Sequence, residues 1–276
     1  MKTPLKGFTG KRISLYVALL LGVMVLMLSL RTCSVPRSVA YSGDRKSGGD
    51  TIDVAIEYSP MSVYTYGDTL GGFNFDLMNH VAAQAGYAVK YHPVVSLEKS
   101  VAGLEDGMYD ILIADVPMTL DFQDRFVYSD PVYLDKQVLV QRKDSLGRVE
   151  IVSQLDLARQ EVWVVANSPV VSRLKNLSAE IGDTIYVKQD NHYGAEQLLI
   201  MTAVGDIPRA VVNEKSARAI ADDYPDVDIS TAISFTQFQS WIMRKDNVEL
   251  ADSINAVLKR IKQTDYYKAL ESKYLQ

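Results

Sequence analysis

From Thr51 onward the chain alternates short β-rich runs with amphipathic helical runs, and that alternation limits it to a small set of folds. TIDVAIEY is β-rich. FNFDLMNHVAAQAG follows, with Leu77, Val81 and Ala85 on one helical face and Gly86 as a C-terminal stop. AVKYHPV predicts a strand. SLEKSVAGLEDG predicts a helix capped by Ser96, with a stripe of Leu97, Val101 and Leu104 and an end at Gly107. YDILIADV predicts another buried strand. VLVQR, EVWVVA, TIYVKQ and RAVVN then read as strands, separated by the helical runs SQLDLAR, VVSRLKNLSAEIG and GAEQLLIMTAVG. DISTAISFTQFQSWIMRK reads as extended chain. Two helices close the sequence. The first carries Leu250, Ile254, Val257, Leu258 and Ile261 at helix spacing, with Asp246 or Asn247 as its cap, and the second covers about 264–274. This order predicts an α/β fold of mostly parallel sheets in two units, each large enough for its own core. In such sheets a ligand crevice lies at the carboxyl ends of the strands. Residues 57–64, 115–122, 167–168 and 213–214 are placed there.

The first 50 residues follow different rules. Residues 13–30, ISLYVALLLGVMVLMLSL, form an uncharged run preceded by Lys2, Lys6, Lys11 and Arg12. A basic flank followed by an apolar run is the layout of an export signal, and the run is just long enough to span a bilayer. The positive flank stays cytoplasmic, which predicts that the rest of the chain lies outside the cytoplasmic membrane. Cys33 stands three residues past the run, in LRTC, where bacterial lipoprotein signals place the lipidated cysteine. Leu30 and Cys33 fit that pattern, Thr32 fits it moderately and Arg31 poorly. Three readings stay open: lipid attachment at Cys33, an uncleaved helical anchor beside an incidental cysteine, and cleavage to a free form. Residues 34–50 are rich in Ser, Gly and charge and read as a flexible tether.

Charge and composition narrow the function. Residues 1–50 hold eight basic and two acidic residues, +6, so the formal −5 of the chain leaves −11 on the remaining 226 residues. An acidic body of this kind argues against binding a nucleic-acid backbone. The single cysteine excludes an internal disulfide framework and a thiolate metal cage. His80, His92 and His192 are each isolated in sequence, so neither a metal site nor any cofactor is expected. No nucleophile elbow, His-Glu-x-x-His helix or phosphate-binding loop is present.

The order of motifs resembles the type II periplasmic solute-binding proteins, in particular family 3, the polar amino acid group. GGFNFDLMNHVAAQAG is similar to that family's G-F-x-x-D-L segment, and LEDGMYDILIADVPMT to its L-x-x-G-x-x-D stretch leading to a Thr. FVYSDPVYLDKQVLVQR resembles the F-S-x-P-Y entry to a hinge. SQLDLARQEVWVVANS resembles the D-L-x-x-x-x-V-x-V-x-x-G-[ST] entry to the second lobe, and the closing helices match over SWIMRKDNVELADSINAVLKRIKQTDYYKALESKYL. The resemblance covers about 52–275. Within it, IEYSPMSVYTYGDTLGGFNFDL resembles in particular the solute-binding-like regulatory part of the membrane-bound lytic murein transglycosylase F group. That group carries a separate catalytic domain, for which no stretch is left here, so a binding domain and not an enzyme is expected.

The resemblance implies a two-lobed periplasmic binding protein-like (type II) fold with hinge-linked α/β lobes. Residues 1–33 would be the signal or anchor and 34–50 the tether. Residues 51–133 plus 241–276 would form the first lobe, and 134–240 the hinge strands and second lobe. The hinge would use 134–136 and 238–240. It implies a membrane-tethered extracytoplasmic protein that closes its lobes around a small polar ligand, partnered by an ABC permease. The alternative is a non-catalytic regulatory domain acting on a murein hydrolase. A third reading, an enzyme on this fold, would use Glu57, Asp115 or Glu214, which are candidates by position alone.

Several ligand-reading positions depart from the family. Phe122 stands where amino-acid binders place the Arg that clamps an α-carboxylate, and Arg125 is out of register, as a solvated or hinge-supporting residue. Pro208 and Asn213 stand at the two family Asp positions, and Pro117 where many members have Thr. These departures point to a peptide or cell-wall fragment in place of a free amino acid. Thr119 keeps its hydroxyl. Ser168 can offer a hydroxyl and backbone N–H groups to an anion, or serve as a helix N-cap. Asp115 stands where the family has a small residue, and is read as facing the cleft to hold a cation or as making a structural hydrogen bond. Tyr58, Tyr64 and Phe122 are read as an aromatic wall or as core. With Asn213 these make up the expected ligand-binding set. Trp163 and Trp241 are expected to pack in the core.

Overall fold

A computed structural model describes Tyr16, residues 18–24, Met27, and residues 51–275 except 68 and 117–119. The chain divides into two compact units, Met1–Ser38 and Val39–Gln276. In the first, the described residues are helical. Among the described residues, no helix is long and apolar enough to cross a membrane. Cys33 and the tether lie outside the described residues, as do Pro117 and Thr119.

The second unit holds two five-stranded sheets. The first has the order β4-β1-β5-β14-β6, from β1 (Thr51–Glu57), β4 (Ala88–Val94), β5 (Ile111–Ile113), β6 (Phe126–Tyr128) and β14 (Ile242–Arg244). The alternation along β1 explains its two-sided packing. Ile52, Val54 and Ile56 join a core with Leu77 and Val81 of α1 (Phe73–Ala85), Leu250, Ile254 and Leu258 of α7 (Val248–Ile261), and Leu270 of α8 (Asp265–Tyr274). Ala55 faces the opposite core, with Leu104 of α2 (Leu97–Glu105), Leu112, Phe126 and Ile242.

The second sheet has the order β10-β9-β11-β8-β12, from β8 (Gln137–Arg142), β9 (Glu161–Val165), β10 (Tyr186–Asp190), β11 (Arg209–Asn213) and β12 (Val227–Asp228). Leu139, Val164 and Val211 pack on Leu174 and Leu177 of α4 (Pro169–Ile181). Val138, Val140 and Val212 pack on Leu198 and Leu199 of α5 (Ala195–Val204) and Ile220 of α6 (Glu214–Ala221).

Neither sheet is mostly parallel, which corrects the reading from sequence. Each joins two parallel to two antiparallel pairings: β8 runs against β11 and β12, and β14 against β5 and β6. These antiparallel strands are entered from a short ribbon between the sheets, without the helical crossover a parallel pair requires. The ribbon pairs β7 (Tyr133–Asp135) with β13 (Gln237–Gln239), placing Leu134 opposite Phe238, and a separate hairpin pairs β2 (Tyr64–Tyr66) with β3 (Thr69–Gly71), while the short helix α3 (Leu120–Gln123) precedes β6.

The boundary signals hold at Gly86 and Ser96, while α2 is capped by Asp106, one residue before the expected Gly107. Gly86 is left-handed and its N–H reaches Ala82 O, while Ser96 Oγ accepts from Lys99 N. Asn247 is the N-cap of α7 without a side-chain cap bond. Trp241 is fully buried and donates through Nε1 to Asn74 Oδ1 at 2.9 Å. Trp163 is partly buried against the second sheet's core, with Nε1 on Glu161 Oε1.

Candidate functional site

Among the described residues, five strands of the two sheets, β1, β4, β5, β9 and β11, end on one cavity. Glu57 is the last residue of β1, Asp115 follows β5, Ser168 follows β9, and Asn213 ends β11; all four line it with Val94, Val165 and Val212. The cavity therefore lies at the carboxyl ends of strands from both lobes, where open α/β sheets hold ligands. It encloses about 40 Å³, room for two or three waters. Among the described residues its lining includes two acidic side chains and no Lys or Arg.

The carboxylates are linked. Glu57 Oε2 accepts from the Asp115 main-chain N–H at 2.8 Å. Asp115 Oδ1 accepts from the Tyr133 hydroxyl at 2.9 Å, and Oδ2 accepts from Ser216 Oγ. Asn213 Nδ2 donates to the Asp115 carbonyl at 3.1 Å. Asp115 belongs to the first sheet's side, whereas Asn213 and Ser216 belong to the second, so two side chains bridge the lobes to one residue. Gly194, the N-cap of α5, comes so close that a Cβ there would lie 3.7 Å from Glu57 Oε1.

Electrostatics follow from this enclosure. Burial, with the charge of Asp115 beside it, pushes the Glu57 carboxyl up to about 8. Burial also raises Asp115, against the lowering effect of the Ser216 and Tyr133 hydrogen bonds. Asp135, in the hinge ribbon, is raised to about 7 by burial and by Asp115; it caps the N–H groups of Lys136 and Lys215. Among the described residues neither Glu57 nor Asp115 has an ion-pair partner. Two desolvated carboxyls beside one cavity, neither with an ion-pair partner among the described residues, favour a positively charged group near them.

The other residues singled out from sequence are spread more widely. Ser168 sits at the N-cap position of α4, but its hydroxyl donates to Val165 O at 2.7 Å and makes no cap. Tyr58 and Tyr64 line a separate groove between the lobes, of about 1060 Å³. Phe122 is buried with Phe126 and Ile242 in the first lobe's core, away from the cavity lining. Arg125 pairs with Glu105 at 2.6 Å and covers the Phe122 and Phe126 rings. Glu214 pairs with Lys136 and Arg218 and stays outside the cavity. Ser216, Tyr133 and Gly194 had no signal of their own in the sequence. The three touch the site only through the way the lobes meet.

Asn167 explains one departure from the family pattern. It stands at the glycine position of the G-[ST] pair and adopts φ 58, a left-handed conformation that Asn tolerates better than most residues. Its N–H is held by Gln189 Oε1.

Comparison with known proteins agrees with this architecture. Membrane-bound lytic murein transglycosylase F of Shewanella pealeana is 24% identical over 194 residues, covering 70% of this chain and 40% of the enzyme. The chain thus spans less than half the length of that relative. The arginine-binding extracellular protein ArtP of Bacillus subtilis is 23% identical over 273 residues, covering 93% of this chain and 96% of ArtP. Among solved structures, an ancestral arginine-binding protein bound to arginine superposes with a TM-score of 0.71 at 24% identity, covering 82% of this chain and 98% of that one. The model of the bacterial extracellular solute-binding proteins, family 3, matches residues 51–276, and the chain belongs to that family.

Proposed function

We propose that this chain is a membrane-tethered extracytoplasmic binding protein whose lobes close on a small polar solute carrying a positive charge, which Glu57 and Asp115 recognise. One observation carries the reading: two acidic residues without an ion-pair partner among the described residues end strands of one sheet and line a cavity completed by the other. A ligand ammonium or guanidinium would replace the neutral hydroxyl donors now on Asp115 with a charge-assisted bond. The arginine-binding relatives support a cationic ligand. The absence of an Arg at the Phe122 position favours a peptide or cell-wall fragment over a free α-amino acid. Binding, not catalysis, suits a site whose acids are engaged by structural donors. Thermal-shift screening with arginine, short peptides and muropeptides tests this. Stabilisation by one of these, lost in Glu57→Gln, is expected; stabilisation only by anionic or neutral solutes would overturn it.

The second reading is a sensory domain that acts on a murein hydrolase, and the transglycosylase F relatives favour it. Its test is hydrolase activity measured with the loaded and unloaded protein. A transport role predicts no change, and a regulatory role predicts a change only when ligand is present.

A further inference from the structure

The hinge ribbon is built inside out. Residues directly opposite in an antiparallel pair project to the same face, and the face alternates along each strand. Tyr133, Asp135 and Gln239 therefore share one face of the ribbon, and Leu134 and Phe238 share the other. The polar face is the buried one, whereas Leu134 is 52% exposed and Phe238 55%. A sheet that buries its polar face and presents its apolar one reverses the usual packing, and an exposed apolar patch with a polar rim marks a contact surface. Leu134 and Phe238 line a groove of about 780 Å³ with Pro131 and Val132. Its walls come from both lobes: Lys215 of α6 from the second, and Lys262, at the end of α7, with Lys268 of α8 from the first. None of its described lining residues lines the Glu57–Asp115 cavity.

Charge decides what fits there. Lys215 Nζ donates to Leu275 O at 2.8 Å and Lys262 Nζ to Pro131 O. Neither ammonium has a carboxylate partner among the described residues. Lys268 pairs with the exposed Asp265 at 3.1 Å, a surface contact of small worth. Among the described lining residues Glu271 is the single acid. Three ammonium groups against one carboxylate beside an apolar pair, on a body whose formal charge is −11, select an acidic occupant that also carries apolar side chains. A second copy meeting this one about a twofold axis would set the lysines against one another.

We propose that the groove behind the hinge docks an acidic, apolar-bearing segment of a partner protein, with its apolar side chains on Leu134 and Phe238 and its carboxylates beside Lys215, Lys262 and Lys268. The site stands whichever solute the cavity takes.

The test is fluorescence anisotropy of three pools of short labelled peptides with the full chain. The first pool is built from Asp, Glu, Leu and Phe, the second has Lys and Arg in place of the acids, and the third has Ser in place of Leu and Phe. Saturable binding is expected from the first pool alone. Leu134→Ser with Phe238→Ser should weaken it about tenfold, and the charge reversal Lys268→Glu should weaken it less. Melting curves check that both variants fold, and Lys268→Glu decides alone if the serine pair does not. No saturable binding of the first pool, equal binding of the second, or unchanged affinity in the folded variants would overturn the proposal. So would a dimer in light scattering that the serine pair splits, which assigns the face to a second copy. Retention on phosphatidylglycerol vesicles above that on phosphatidylcholine vesicles, abolished by the same pair, would overturn it in favour of a lipid surface.

Discussion

At the scale of single residues, the proposed cation recognition by Glu57 predicts that ligand affinity and protein stability respond to pH in opposite directions. Its carboxyl ionises near 8 in the folded chain, against an ordinary value of 4.5. A cation binds the ionised form, so affinity should fall about tenfold per pH unit below about 8. Calorimetric titrations at pH 6, 7, 8 and 9 check this, and Glu57→Gln should bind weakly at every pH. Stability runs the other way. Between pH 4.5 and 8 the unfolded chain releases a proton that folded Glu57 retains, so stability falls as pH rises through that window and levels off above it. Asp135, raised from 3.8 to about 7, adds a similar slope. Melting curves from pH 5 to 9 should show the decline, and Glu57→Gln should flatten it. Gly72 carries a different constraint. It lies at φ 137, and a Cβ there would sit 2.2 Å from Ser62 O. Gly72→Ala should cost more than about 2 kcal/mol in urea denaturation, from backbone strain combined with the clash.

At the scale of elements, one buried hydrogen bond ties the start of β14 to α1. Trp241, just before β14, places its indole N–H on Asn74 of α1, and Asn74 Nδ2 in turn donates to Ser62 Oγ. Trp241→Phe keeps most of the apolar burial but leaves a buried amide oxygen without its donor. The expected cost is about 1–3 kcal/mol, and Trp241→Phe with Asn74→Leu should recover part of it. The elements themselves were legible in sequence because their signals are local. Period-3.6 stripes such as Leu250, Ile254 and Leu258, and stops such as Gly86, depend on no distant contact. The strand direction of β8 and β14 was not legible, because it depends on how the chain crosses between sheets. For Phe122 the sequence left an aromatic wall and the core both open, and a large ring without a polar partner is accommodated in the core, beside Phe126 under Arg125. Glu57 and Asp115 could be found because strand ends are predictable. Ser216 and Tyr133 could not, because their approach to Asp115 exists only once the lobes have met.

At the scale of the whole molecule, Asp115 acts as the meeting point of the two halves. Asn213 and Ser216 reach it from the second lobe, and Tyr133 reaches it from the hinge ribbon. Removing both second-lobe donors, with Asn213→Ala and Ser216→Ala, should shift the ligand-free protein toward an open arrangement. Small-angle scattering should then report a larger radius of gyration, and an unchanged radius would argue against this bridge. The strand order also has a consequence in time. β14 lies between β5 and β6, although the ribosome makes it after every strand of the second sheet. A chain that emerges or threads a translocon amino end first can finish its second half while the first still has an empty slot. The half begun first is completed last. Nascent chains halted before residue 242 should yield a protease-resistant fragment from the later-made half alone. Until that point, the unpaired flanks of β5 and β6 are where an export chaperone would have to hold the chain.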